Sequence, residues 1–253
     1  MKIAFIGDSF SAYDQEGQGK NHWTWLLSQH FRQHKYYNYS LGGRGYDYYR
    51  LALLDAKMKD VDVVVTNRTF NHRVMMQAGN GDGTFVEAPT SNPHYTLKYH
   101  YNHFWKSGQG KTNVSDRGTT PIPSSILTQI NTALVVKQTS EDYLRYNQLW
   151  FDNIDSLYNF KHIIKLELLA DPNDEYLGLD NAYIQLMKAF NVDQQVQRDK
   201  FERGVSVASD ELRKNLLIEN DLIISYEDDH WSPKANKWVF DNYILPKFVD
   251  ILS

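Results

Sequence analysis

The chain has 253 residues, 42% of them hydrophobic and 23% charged, with a formal net charge of -4. That length and balance fit an ordinary soluble globular chain with a proper core, as one large α/β domain or two small ones. The absence of cysteine excludes disulfides and thiolate metal sites. A slightly acidic balance with no basic stretch argues against nucleic acid as the main partner, and no apolar run approaches the length of a membrane span.

In chain order, the first element is the apolar run Ile3–Ile6, which breaks at Gly7-Asp8-Ser9. The run is too short for a signal-peptide apolar region and reads as a first strand, Lys2–Ile6, of an intact cytoplasmic chain. Ser9 then falls on the turn at that strand's carboxyl end, where open α/β sheets bind ligands. Four further segments read as buried strands: Lys35–Tyr39, Val61–Thr66, His162–Leu168 and Leu222–Tyr226. Helical stretches separate them, at 21–33, 47–59, 141–160, 180–190 and 209–220, and a last one runs over 233–252. Ser232 is the expected N-cap of that last helix, with Pro233 at its first position.

Strands alternating with helices predict a three-layer α/β/α sandwich around a mainly parallel sheet of about five strands. The stretch 78–123 departs from this rhythm, with clustered Gly and Pro among Tyr95, Tyr99, Tyr101, Phe104 and Trp105. It reads as an irregular, aromatic-rich insertion in a single domain of residues 1–253, a lid or a substrate platform. Aromatic content is 14% overall, compatible with sugar-stacking surfaces, although packing accounts for such an excess more often.

Four places carry chemistry. Ser9 is a candidate nucleophile if a base and an oxyanion site accompany it. His230, in Glu227-Asp228-Asp229-His230-Trp231, follows one apolar strand and precedes the last helix. A carboxylate just before a histidine supplies the parts of an oriented general base. The glycine turn Gly42-Gly43-Arg44-Gly45 ends the second strand and brings a backbone N–H close to a ligand. The third strand runs into Asn67-Arg68-Thr69-Phe70-Asn71-His72-Arg73, whose polar side chains lead toward the same edge.

Taken in order, Gly7-Asp8-Ser9-Phe10-Ser11, Gly43, Asn71 and His230 resemble the sequence blocks of the SGNH (GDSL-type) hydrolases. The resemblance spans about residues 3–240 and implies that family's flavodoxin-like topology and a serine esterase mechanism. It implies Ser9 as nucleophile, His230 as base, and an oxyanion hole made by the N–H groups of Ser9 and Gly43 with the Asn71 side chain. Two blocks depart from the pattern. Thr69-Phe70-Asn71-His72 stands where the family shows Gly-x-Asn-Asp, so Asn67, Arg68 and Arg73 are alternatives to Asn71. Glu227 holds the usual place of the triad acid, whereas Asp228-x-His230-Trp231 resembles SGNH-like polysaccharide O-acetyltransferases. Asp228 is therefore the expected orienting acid and Glu227 the alternative, with Asp229 directed elsewhere.

The implied substrate is a small-molecule or glycan ester, above all a carbohydrate O-acetyl group, with no metal or organic cofactor. Transfer of the acyl group to a sugar hydroxyl is a related outcome. A different class of reading, a non-catalytic glycan-binding or structural module on the same fold, is motivated by the two departing blocks. Oligomeric state is not legible. Three other patterns lead nowhere. Gly17-Gln18-Gly19-Lys20 lacks the remaining parts of a phosphate loop. His94, His100 and His103 match no standard zinc spacing. Asn80–Gly83 and Asp171–Asp174 read as turns, the latter on the presumed ligand edge.

Overall fold

The computed structural model describes residues 1–12, 19–40, 45–69, 74–77, 85–88, 97–99, 104–106, 112–114, 141–168, 180–203, 209–226 and 230–252. They group into two compact units, one of residues 1–42, 61–68 and 164–253 and the other of 43–60 and 69–163. No described helix is long and apolar enough to cross a membrane.

The first unit is α/β and holds the body of a four-stranded parallel sheet. Its strands are β1 (Lys2–Ile6), β2 (Lys35–Asn38), β3 (Val63–Asn67) and β9 (His162–Leu166), in the order β2-β1-β3-β9. β1 pairs in parallel on both sides, Ala4 against Tyr37 of β2 and against Val64 of β3. The strand order therefore reverses direction at β1. In open α/β sheets the crevice outside the carboxyl ends at such a reversal is the ligand site.

Side-chain alternation sends Ile3 and Phe5 of β1, Val63 and Val65 of β3, and Ile164 and Leu166 of β9 into one core. Helices α1 (Trp23–His30), α5 (Ala182–Ala189) and α8 (Pro233–Val239) contribute Trp23, Leu27, Leu186, Ala235 and Val239 to it. Ala4, Ile6 and Val64, directed to the opposite face, are fully buried as well. Burial on both faces is why these strands read as continuous apolar runs.

The remaining helices of this unit are α6 (Val192–Arg203), α7 (Ser209–Glu219) and α9 (Leu245–Leu252). A π-helical turn, Phe240–Ile244, joins α8 to α9 just before Pro246. Proline has no N–H for the carbonyl four residues back, so a regular α-helix does not run through it undisturbed. Helix α6 was not expected; it is weakly amphipathic, and among its described side chains Val192 and Val196 are buried.

The expected fifth strand, Leu222–Tyr226, is not part of the sheet. Its backbone bonds the preceding helix and its own loop: Leu222 N–H donates to the Leu217 carbonyl (2.7 Å), Ile224 N–H to that of His230 (2.9 Å), and Ser232 N–H to that of Leu222 (3.0 Å). A single antiparallel bridge, Ile223 to Trp231, replaces a ladder. Among the described residues the central sheet thus has four strands, where about five were expected. Ser232 does cap α8, its Oγ accepting from Ala235 N–H (3.2 Å) and donating to the Asp221 carbonyl (2.6 Å). Ser232→Ala should cost about 1–2 kcal/mol, read as a lowered urea midpoint with an unchanged slope.

The second unit contains α2 (Tyr46–Met58), α3 (Glu141–Asp152) and α4 (Ile154–Leu157). Tyr46 packs on Trp150 and Phe151, and the Arg50 guanidinium bonds Asp47 (2.8 Å) and Asn147 (3.0 Å) while lying over Trp150. Among the described residues, short antiparallel strands run from just before the stretch 78–123 into it. β4 (Val74–Gln77), β5 (Phe85–Ala88), β6 (Leu97–Tyr99), β7 (Phe104–Lys106) and β8 (Thr112–Val114) pair in sequence order. The Gly and Pro clusters mark the breaks between strands, and their density hid the strands from a pattern reading.

Candidate active site

At the end of β1 the chain makes two successive turns. Ser11 N–H donates to the Asp8 carbonyl (3.0 Å) and Ala12 N–H to that of Ser9 (3.4 Å). Asp8 is wholly buried, and its Oδ1 accepts from Phe10 N–H (3.1 Å) and from the Asn67 side-chain amide (3.1 Å). Asp8 is therefore the anchor of the turn. Ser9, on the crest, is partly exposed, and neither its N–H nor its Oγ makes a hydrogen bond with a described residue.

Asn67, at the end of β3, is buried and fully engaged. Its amide nitrogen donates to Asp8 and to the Arg68 carbonyl (2.9 Å), and its Oδ1 accepts from the Ser11 hydroxyl (2.7 Å). With both amide hydrogens engaged it braces the turn, which removes it as an alternative oxyanion donor. Arg68 is tied to Glu167, its Nε lying 2.8 and 3.0 Å from the two carboxylate oxygens.

His230 lies partly buried on the loop before α8. Its ring stacks on Phe10, with centroids 4.8 Å apart and planes at 30°, and Trp231 meets the same Phe10 edge-on at 5.4 Å. The loop carrying the proposed base thus rests on the residue next to the proposed nucleophile. No hydrogen bond joins Ser9 and His230 among the described residues. Gly43, Asn71, Arg73, Glu227, Asp228 and Asp229 lie outside the described residues, as do His94, His100, His103, Gly17, Gln18, Asn80–Gly83 and Asp171–Asp174.

A second histidine, not singled out from the sequence, sits beside this pair. His22 caps α1: its Nδ1 accepts from Thr24 N–H (3.3 Å) and lies 2.8 Å from Thr24 Oγ1. That leaves the proton on Nε2. Burial first, then the charge of nearby His230, lowers its pKa from 6.5 to about 3. A histidine immediately before a helix, spaced to accept from the second residue on, is the signal that would have found it.

The sign of the pH effect follows. Between about pH 6.5 and 3 the unfolded chain protonates this imidazole while the folded chain does not. Stability therefore falls as pH drops through that window. His22→Asn keeps a capping oxygen for Thr24 N–H and removes the titrating group. Urea midpoints measured from pH 7 to pH 4 should fall less steeply in this variant than in the parent chain.

The features so far define an α/β protein with Ser9 at the carboxyl end of β1 and His230 stacked on the adjacent Phe10. No protein-family model matches the chain, and no curated protein matches it. Among solved structures, one described as a G-D-S-L family protein from Desulfitobacterium hafniense DCB-2 is similar at 16% identity. The match covers 70% of this chain and 85% of that one, with a TM-score of 0.28. So loose a superposition transfers neither fold nor function to this chain.

Proposed function

We propose that this chain is a serine ester hydrolase with Ser9 as nucleophile and His230 as general base. The observation that carries this reading is the placement of Ser9. It stands partly exposed on a braced turn at the carboxyl end of β1, and His230 stacks on the adjacent Phe10. In the reaction, Ser9 Oγ attacks the acyl carbonyl while its proton passes to His230. The tetrahedral intermediate collapses, and the leaving alkoxide takes that proton from His230. Water then attacks the acyl-enzyme while His230 takes its proton, and as that intermediate collapses His230 returns the proton to Ser9 Oγ, releasing the acid and restoring Ser9.

On the resemblance to SGNH hydrolases, Asp228, with Glu227 as its alternative, orients His230. Gly43 and Asn71 join the Ser9 N–H in stabilising the oxyanion. The substrate class we favour is a carbohydrate O-acetyl ester, supported by the Asp228-x-His230-Trp231 pattern and by the aromatic-rich stretch. The same acyl-enzyme transfers to a sugar hydroxyl when one replaces water. The acceptor is read by analysing the products with and without added glycan.

A fluorophosphonate probe tests the reading. Ser9 Oγ should form a bond to phosphorus as fluoride leaves, adding the probe's mass to the Ser9 peptide. His230→Ala should abolish the adduct. No adduct on the parent chain, together with no turnover of short acyl esters, favours the binding-module reading instead.

A further inference from the structure

The Ser9 turn and the His230 loop are separated in sequence by more than two hundred residues, yet one buried pair of side chains holds both. The Trp23 indole Nε1–H donates to the Phe10 carbonyl (2.6 Å), fixing the residue next to Ser9. The Asn236 amide donates to the carbonyls of Trp231 (3.0 Å) and Ser232 (3.2 Å), fixing the residue next to His230. Asn236 Oδ1 in turn accepts from Trp23 N–H (3.4 Å), which closes the link between the two. Trp23 is fully buried and Asn236 nearly so.

Packing alone does not call for this chemistry. An amide on the buried stripe of α8, between Ala235 and Val239, needs every one of its hydrogen bonds to offset its desolvation. Here the two amide donations end on the backbone beside His230, and the oxygen accepts from Trp23, whose indole holds the carbonyl beside Ser9. Reaction rates are sensitive to such placement, since an error of about 1 Å costs on the order of 100-fold.

We propose that Trp23 and Asn236 are positioning residues that set the distance between the Ser9 turn and the His230 loop. The inference rests on the reading of Ser9 and His230 as nucleophile and base. The two break separately in one experiment, fluorophosphonate inactivation of the parent chain and of Trp23→Phe, resolved into probe affinity and maximal inactivation rate. Phenylalanine keeps an aromatic ring against Phe5 while removing the indole N–H, together with part of the ring volume.

The expected result is a maximal rate lowered about 10-fold or more, with probe affinity unchanged and the melting temperature within a few degrees of the parent. Asn236→Ala should slow the same step. An unchanged rate in Trp23→Phe overturns the inference, as does a loss that only matches the unfolded fraction, or a Trp23→Phe chain that does not fold. A parent chain that takes no label overturns the esterase reading itself, and with it this inference.

Discussion

Ser9→Ala should lower turnover of short acyl esters by at least about 1,000-fold, with substrate affinity little changed. The loss is specific to the attacking atom. Ser9 Oγ bonds no described residue, so alanine there removes no internal contact of the turn. Asp8, Asn67 and Ser11 keep their mutual hydrogen bonds, and the melting temperature should stay within a few degrees of the parent. His230→Ala should cost a similar factor, because the two residues act on one proton. The double variant should then be scarcely slower than either single one. Independent losses that multiply would instead show that Ser9 and His230 do not work as a unit. Paired stopped-flow assays of the three variants decide between these outcomes.

Gly7→Ala is expected to be the most damaging small substitution in the first unit. A β-carbon at position 7 would lie 2.0 Å from Asn67 Oδ1 and 2.7 Å from both Cβ and Oγ of Ser11. None of these atoms is at the loose end of a flexible side chain. Asn67 is held by bonds to Asp8, the Arg68 carbonyl and Ser11, so relief of the clash breaks the brace under Ser9. Overpacking of this kind costs about 3 kcal/mol, and lost buried hydrogen bonds add to it. Urea unfolding should show a markedly lower midpoint, and the folded fraction should react slowly with a fluorophosphonate. Near-parental stability would mean that the turn repacks freely around the added methyl.

The parallel strands were legible because β1 and β3 are buried on both faces and so lack the alternation of half-buried strands. The capping signal of Ser232-Pro233 was equally clear. Leu222–Tyr226 misled because a short apolar run looks the same whether it pairs with a sheet or with its own loop. Only the tertiary destination of its N–H groups distinguishes the two. Ser9 was visible as a break after a buried strand. Its support was not: Asp8, Asn67 and Ser11 form a brace across residues far apart in sequence. His22 and Asn236 carry a fainter mark, polar side chains at positions where the helix turns its buried face inward.

The Ile223–Trp231 bridge closes the segment that carries His230 at its base. His230 sits at the moored end, next to the rung, tied by its own carbonyl to Ile224. Glu227, Asp228 and Asp229 lie on the span between the two fixed points. The imidazole is therefore placed by Ile223, Ile224, Trp231 and Phe10, all of them outside that span.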